Sequence, residues 1–515
     1  LRAAIGVANR WPWLGRTINH FAINKLVNAS RERPHPWSTV HDYISWTSLT
    51  DQRWSSRHLP AVELSPDLPP TEALVGLFAR DLDDEQRYCP KSTCLFPAFA
   101  QYLTDGFIRT RMPRGDESED VRLQNTSNHQ IDLCPLYGRL PVQTDALRLG
   151  SEAAGSRGRL KSQVISGEEY APFLFAADGT VKAEFESLDE PLGIEKFTDA
   201  DLRAHIFAFG GDRANNAPQI GMVNTLFLRE HNRLAGEIER EHPDWSDERV
   251  FQTARNAVII IFIKIVVEEY INHISSSPFR LRADPSVAWD APWNKPNWMS
   301  TEFSLLYRWH SLVPEVFQWN GQSYPVHATL MDNRLLLAGG LAASFASVSG
   351  QRAGRLGAFN TPEALLAVEK NAIDQGRRVR LAPYGDYCAY VSDGKRRPTT
   401  FASISSDPAV VDFLSAAYQR PEDVDFYIGL FAEDPGANSP LPPLLLTMVA
   451  VDAFSQALTN PLLSKHVFKE STFSRPGWEA FNRTRSLRDI VDRNCPSGAG
   501  KGRISMTRKE WKYSW

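Results

Sequence analysis

Residues 303–310 read Phe303-Ser304-Leu305-Leu306-Tyr307-Arg308-Trp309-His310. Apolar side chains crowd this run, which reads as a buried helix ending on an imidazole. A histidine in such a setting can ligate an iron, and Tyr307, three residues earlier, falls on nearly the same helix face. A redox-active phenol one turn from such a ligand can pass a hydrogen atom to an oxidised haem. The other histidines lack this context. Of the twelve, none forms a His-Glu-x-x-His pair, and most have no partner at metal-ligand spacing.

Outward from this run the pattern stays helical. Val223, Phe227, Leu234 and Ile238 recur at near-helical spacing. Ser246 can cap the next helix, with Asp247 and Glu248 at its positive end. That helix continues through Val250, Ala254, Ile261, Ile265 and Tyr270, and is apolar nearly all round after Ala257, which predicts burial. Strand-like alternation is scarce, so the class is mainly α with few short strands. Residues 28–70 read as loop with short helices, and the polar segments 111–128 and 151–160 as surface loops.

Composition excludes several classes. At about 150 residues per domain, 515 residues alone suggest about three domains. Hydrophobic residues at 42% and charged residues at 23% rule out disorder and coiled coil. Fifty-seven Lys+Arg against sixty-one Asp+Glu give a net charge of −4, which carries no nucleic-acid footprint. Five cysteines build no disulfide framework, and Cys89 and Cys94 lack the second pair of a zinc site. No run reaches the roughly 18 apolar residues of a spanning helix. The best, Ala257–Val267, carries Lys264, so no transmembrane anchor is expected. Near the N-terminus Trp11, Trp13, Leu14, Ile18 and Phe21 mix with Arg2, Arg10, Arg16 and Lys25. This mixture suits a helix lying in a membrane interface, or one packed on the core.

The motif Tyr307-Arg308-Trp309-His310 resembles the tyrosine–proximal-histidine motif of cyclooxygenases and fungal linoleate dioxygenases, within the animal haem peroxidase superfamily. Other blocks are similar in order and spacing. They are Phe227-Leu-Arg-Glu-His-Asn-Arg-Leu234, Ile263-Lys-Ile-Val-Val-Glu-Glu-Tyr270, Asn128-His-Gln-Ile-Asp-Leu133 with Tyr137-Gly138, and Val424-Asp-Phe-Tyr427. The resemblance runs from about Val40 to Pro496 and implies one large helical domain instead of three. The implied organisation is an amphipathic segment at 1–39, a haem peroxidase/dioxygenase domain at 40–496 and a basic tail at 497–515. Carried over, His310 is the proximal iron ligand and Tyr307 the radical-bearing tyrosine. Trp309 and Tyr427 support the proximal side. Tyr270, Ile271, Ile274, Phe303, Trp309 and Ser455 line an acyl channel.

The departures from that pattern are specific. The distal segment reads Phe99-Ala-Gln101-Tyr-Leu-Thr104-Asp105, so Gln101 is kept and Asp105 replaces the distal histidine. A carboxylate can exchange the peroxide proton if burial raises its pKa. His129 matches a separate family histidine and is rejected as the substitute. Arg213, in Gly210-Gly-Asp-Arg-Ala-Asn-Asn216-Ala217, can polarise a bound peroxide or pair with Asp105. Asn216 and Ala217 stand where myeloperoxidase-type enzymes carry the Glu and Met bonded to haem, which implies a non-covalent haem b. No Asp-x-Ser calcium loop follows the distal segment, so no calcium is expected. Ser277 falls where cyclooxygenases carry the mouth tyrosine, and Lys25 and Arg31 are candidates for its arginine partner.

The resemblance therefore implies a haem-dependent fatty-acid dioxygenase. Tyr307 would abstract hydrogen from an unsaturated fatty acid, and dioxygen would trap the carbon radical. The rivals are an isomerase, desaturase or hydroperoxide isomerase on the same scaffold, redirected by Asp105, or a haem-binding protein without turnover. Expected partners are the fatty acid, dioxygen or peroxide, and a membrane surface bound peripherally, with a homodimer as an open assembly state. Asn28-Ala-Ser, Asn125-Thr-Ser and Asn482-Arg-Thr match the glycosylation triplet, but the cyclooxygenase disulfide cysteines are missing. A bacterial, non-glycosylated enzyme, peripheral on a membrane or cytoplasmic, is expected.

Overall fold

The computed structural model describes residue 6 and residues 9–28, 53–80, 85–111, 115–117, 121, 124–294, 299–495 and 502–514. The domain boundaries at 39/40 and 496/497, and Arg31, lie outside the described residues. Among the described residues, strands are few and short. β1 (Tyr88–Thr93), β2 (Gln163–Ile165), β3 (Glu168–Tyr170), β4 (Val316–Trp319), β5 (Gln322–Pro325) and β6 (Arg352–Gly354) form the antiparallel pairs β1–β6, β2–β3 and β4–β5. The rest is mainly helical, as the sequence patterning predicts. The helices that place the site are α1 (Pro12–Asn28), α2 (Leu95–Asp105), α3 (Pro218–Glu241), α4 (Asp247–Ile265), α5 (Thr301–Leu306), α6 (Leu366–Arg378), α7 (Phe426–Ala432), α8 (Pro443–Leu458) and α9 (Glu470–Arg483). One continuous apolar core joins residues from Ile23 on α1 to Met506, so the length prior of three domains gives way to one.

α4 forms for the reasons its sequence contains. Ser246 Oγ accepts from the Arg249 amide at 3.4 Å, and Asp247 is fixed by Arg148 at 2.7 Å. From Ala257 onward the helix is buried on every side, and α9 approaches closely because Gly477 offers no Cβ against Ala257. Its buried Lys264 donates to the Phe481 carbonyl at 2.7 Å. The helix continues past Ile265 as a π segment over Val266–Ile271, then to Ile274. Residues 247–274 together are long and apolar enough to cross a membrane, but they are the buried core helix of this fold. α3 packs beside α4 and joins two of the quoted blocks. The Tyr137 hydroxyl meets His231 Nδ1 at 2.9 Å, and burial pushes that imidazole down to about 3.

α1 docks through Asn19, Ile23 and Val27, with Arg16 2.8 Å from Asp284. Its other face leaves Trp13 and Phe21 65% and 68% exposed, with Trp11 exposed just before the helix. Residues 502–514 lie back across β1. The Thr93 amide donates to Met506 O at 2.9 Å and the Arg508 amide to Lys91 O at 2.8 Å. Lys91 Nζ donates to the carbonyls of Ser275 and Asn438 and sits over the rings of Trp511 and Tyr513. Burial there pushes its ammonium down to about 7. Asn125 is buried, with its amide given to Phe107 O at 2.8 Å, which is no place for a glycan.

Candidate active site

The run 303–310 is not one helix. α5 stops at Leu306, Tyr307 turns out at φ −100°, ψ 21°, and Trp309 stands at φ −94°, ψ 46° before a 3₁₀ turn over His310–Leu312. The difference has a consequence. In a continuous helix four successive side chains point about 100° apart. Here Tyr307, Arg308, Trp309 and His310 all line the same cavity, of about 380 Å³. That volume suits a cofactor or small-molecule site.

α2 adds Gln101, Thr104 and Asp105 to the lining. The segment leading into α3 adds Arg213, Asn216 and Ala217, and the first turn of α3 adds Gln219. Several polar atoms of this lining are buried without a hydrogen-bond partner: Asp105 Oδ2, Asn216 Oδ1, both ends of the Gln219 amide, Arg308 Nε and Trp309 Nε1. Buried polar groups are normally satisfied, so their concentration in one cavity marks the place of a ligand. One imidazole together with these unpartnered polar groups fits a haem with a single histidine ligand.

On the His310 side, Nδ1 lies 3.0 Å from Glu369 Oε1 on α6. Glu369 is 1% exposed and also accepts from the Thr361 hydroxyl at 3.1 Å and the Tyr427 phenol of α7 at 2.5 Å. Burial, then the Glu369 charge, pushes the Tyr427 phenol well up, so it stays a donor. Glu369 was not among the sequence candidates. Its neighbours Lys370 and Asp374 form a half-exposed i,i+4 pair at 2.8 Å, a pattern usual on a solvated face.

On α2, burial pushes the Asp105 carboxyl up to about 6, against the opposing charge of Arg213. Arg213 Nη1 is 3.7 Å from Asp105 Oδ1 and donates to Ile108 O at 2.9 Å. His129 lies outside this lining, buried, with Nδ1 accepting from the Met299 amide at 2.7 Å.

Tyr307 stacks against Trp309 at 4.8 Å and packs on Phe303 at 4.9 Å. Burial pushes its phenol up, with the Tyr270 hydroxyl opposing and the Asp452 charge adding to the shift. Tyr270, Ile271, Ile274, Phe303 and Ser455, the other expected channel residues, are buried in the core and are not part of the cavity lining. Ser455 donates to Asp452 O at 3.0 Å on α8. This region also holds polar groups that no sequence pattern marked. His58 Nε2 is 3.2 Å from Asp452 Oδ2, and the Tyr387 phenol donates to Glu302 at 2.7 Å.

The sequence and the fold are similar to those of known proteins. The animal haem peroxidase family profile matches residues 90–504. Prostaglandin G/H synthase 2 of Bos taurus is 30% identical over 489 residues, covering 90% of this chain and 75% of its own. Prostaglandin G/H synthase 1 of Mus musculus is 30% identical over 507 residues, covering 94% and 79%. Among solved structures, fatty acid alpha-dioxygenase of Arabidopsis thaliana superposes with a TM-score of 0.71 at 16% identity, covering 99% of this chain and 92% of its own. Peroxidase A of Dictyostelium discoideum gives a TM-score of 0.68 at 18% identity, covering 93% and 99%. At those identities the two structures speak to the fold.

Proposed function

The chain belongs to the animal haem peroxidase family, and from that premise we propose that it is a haem-dependent oxygenase of unsaturated fatty acids. The substrate class comes from the relatives, which are named as prostaglandin synthases and a fatty acid dioxygenase. One observation carries the reading: Tyr307 and His310 line one cavity from positions three residues apart. A plain haem carrier needs the imidazole and has no use for the phenol.

His310 would hold the iron through Nε2, since Nδ1 is engaged by Glu369. Haem, when bound, would supply the oxidising potential that makes the Tyr307 oxygen a hydrogen-atom acceptor. The Tyr307 oxygen then takes a hydrogen atom from an allylic or bis-allylic carbon, restoring the phenol. Dioxygen adds to the carbon radical, and the phenol returns one hydrogen atom to the outer oxygen. Tyr270, Ile271, Ile274, Phe303 and Ser455 surround the acyl chain and set the carbon attacked. Asp105, with Gln101 and Arg213, moves the proton of a peroxide. The haem is b-type and held without covalent links, since Asn216 and Ala217 offer no carboxylate or thioether. No calcium is called for. α1, with Trp11, Trp13 and Phe21 turned outward beside Arg10 and Lys25, rests on a membrane surface.

Asp105 in place of an imidazole favours a second reading, isomerisation or desaturation on the same scaffold. Oxygen uptake on linoleate and oleate, with mass spectrometry of aerobic and anaerobic products, separates the two. Oxygen incorporated in the product supports the oxygenase. Anaerobic turnover to an isomer, or a desaturated product without added oxygen, supports the alternative.

A further inference from the structure

We propose that Glu369 is a positioning residue for the haem, fixing the tautomer of His310 and strengthening it as an axial donor, with Tyr427 moderating that effect. The inference rests on the reading of His310 as the axial ligand.

The argument starts from the carboxylate's surroundings. Glu369 is buried to 1% exposure, where an ionised carboxylate is retained only if hydrogen-bonded. Three donors meet it. His310 Nδ1 and the Thr361 hydroxyl share Oε1, at 3.0 and 3.1 Å, and the Tyr427 phenol takes Oε2 at 2.5 Å. An ionised carboxylate only accepts, so Nδ1 carries the ring proton and Nε2 presents its lone pair to the cavity. Three elements hold this geometry: the 3₁₀ turn at His310, α6 and α7. A carboxylate drawing on the Nδ1 proton raises electron density at Nε2, which makes the ring a stronger ligand. A more electron-donating ring favours the ferric over the ferrous state. Thr361 competes for Oε1 and Tyr427 draws on Oε2 of the same carboxylate, so each hydrogen bond they make withdraws charge that His310 would otherwise feel. Glu369 and Tyr427 thus act in opposite senses on one iron.

A merely structural brace does not produce opposite senses, and this decides the experiment. The haem-loaded wild type, Glu369→Gln and Tyr427→Phe are compared by ferric/ferrous midpoint potential and by the iron–histidine stretching band of the ferrous protein. Glu369→Gln is expected to move the potential positive and the band to lower frequency, and to weaken haem retention ~10–100-fold in transfer to a globin acceptor. Tyr427→Phe is expected to move the potential negative and the band to higher frequency. Unmoved potential and band in Glu369→Gln, or shifts of the same sign in both variants, overturn the proposal. If Glu369→Gln does not hold haem, Tyr427→Phe and Thr361→Val decide it, and both must raise the band. His310→Gly separates the two levels of inference. A band that survives in His310→Gly without added imidazole defeats the axial-ligand reading and this proposal with it. A band lost there, restored by imidazole, yet unmoved in Glu369→Gln defeats this proposal alone.

Discussion

The Arg213 guanidinium stands 3.7 Å from the Asp105 carboxylate, close enough to oppose the effect of burial and too far to share a hydrogen bond. Asp105 is raised to about 6 with that cation present. A base must be ionised to accept a proton, so peroxide-dependent oxidation of a small reducing substrate is expected to rise as pH increases through about 6. Arg213→Gln removes the opposing charge and is expected to move this limb to higher pH. The pH profile of kcat/KM for peroxide checks both. A limb that stays in place in Arg213→Gln, or one absent from the wild type, excludes Asp105 as the group.

Burial brings Asp105 to about 6, so near neutral pH its carboxylate is ionised and able to take the peroxide proton. Asp105→Asn keeps the size and removes the base, and is expected to lower peroxidase turnover by ~10²-fold. Steady-state turnover with a phenolic reductant measures this, and a variant as fast as wild type removes Asp105 from the proton path.

His310→Ala is expected to abolish the haem absorption band while the fold, followed by circular dichroism, survives. Acidified butanone is expected to extract the haem of the wild type completely. Haem that stays with the denatured protein refutes non-covalent binding and points to a link not visible in Asn216 or Ala217.

Tyr307→Phe keeps the ring packed between Phe303 and Trp309 and removes only the transferable hydrogen. Haem content should be unchanged, and oxygen uptake on fatty acid should fall by several orders of magnitude. Activity near the wild-type level in this variant makes direct attack from the haem side the better account.

Trp11, Trp13 and Phe21 can be changed together to serine without touching the buried contacts of Ile23 and Val27. Each aromatic buried in an interface contributes about 1.5–3 kcal/mol. The triple variant should therefore bind acidic liposomes at least ~10²-fold more weakly than wild type. Sedimentation with vesicles reads this directly, and equal binding rejects α1 as the contact.

Local signals were the legible ones. The cap at Ser246 and the all-apolar run after Ala257 each depend on near neighbours, and α4 carries both. The break between Leu306 and His310 was not legible, since Tyr, Arg and Trp all tolerate helix and only tertiary packing selects the turn. The π segment at Val266–Ile271 has no residue pattern of its own. Within the site, Asp105, Arg213, Tyr307 and His310 were found because each sits in a stretch with a recognisable neighbour. Glu369 lies 59 residues from the histidine it touches, on a helix whose visible face advertises solvent. His58 and Asp452 are 394 residues apart, and nothing in either stretch foretells the pair.

The pairing of β1 with residues 502–514 has a temporal side. Thr93 and Ser505 are separated by 412 residues, yet their hydrogen bond flanks the entrance to α2, the helix that carries Gln101 and Asp105. A ribosome working at about 5–20 residues per second needs roughly 20–80 s to span that distance. Throughout that interval Lys91 has no aromatic cage, and the Thr93 amide must bond to water or to a chaperone. The hydrogen bonds flanking α2 thus wait for residues 502–514, and haem loading should follow the arrival of Trp511 and Tyr513.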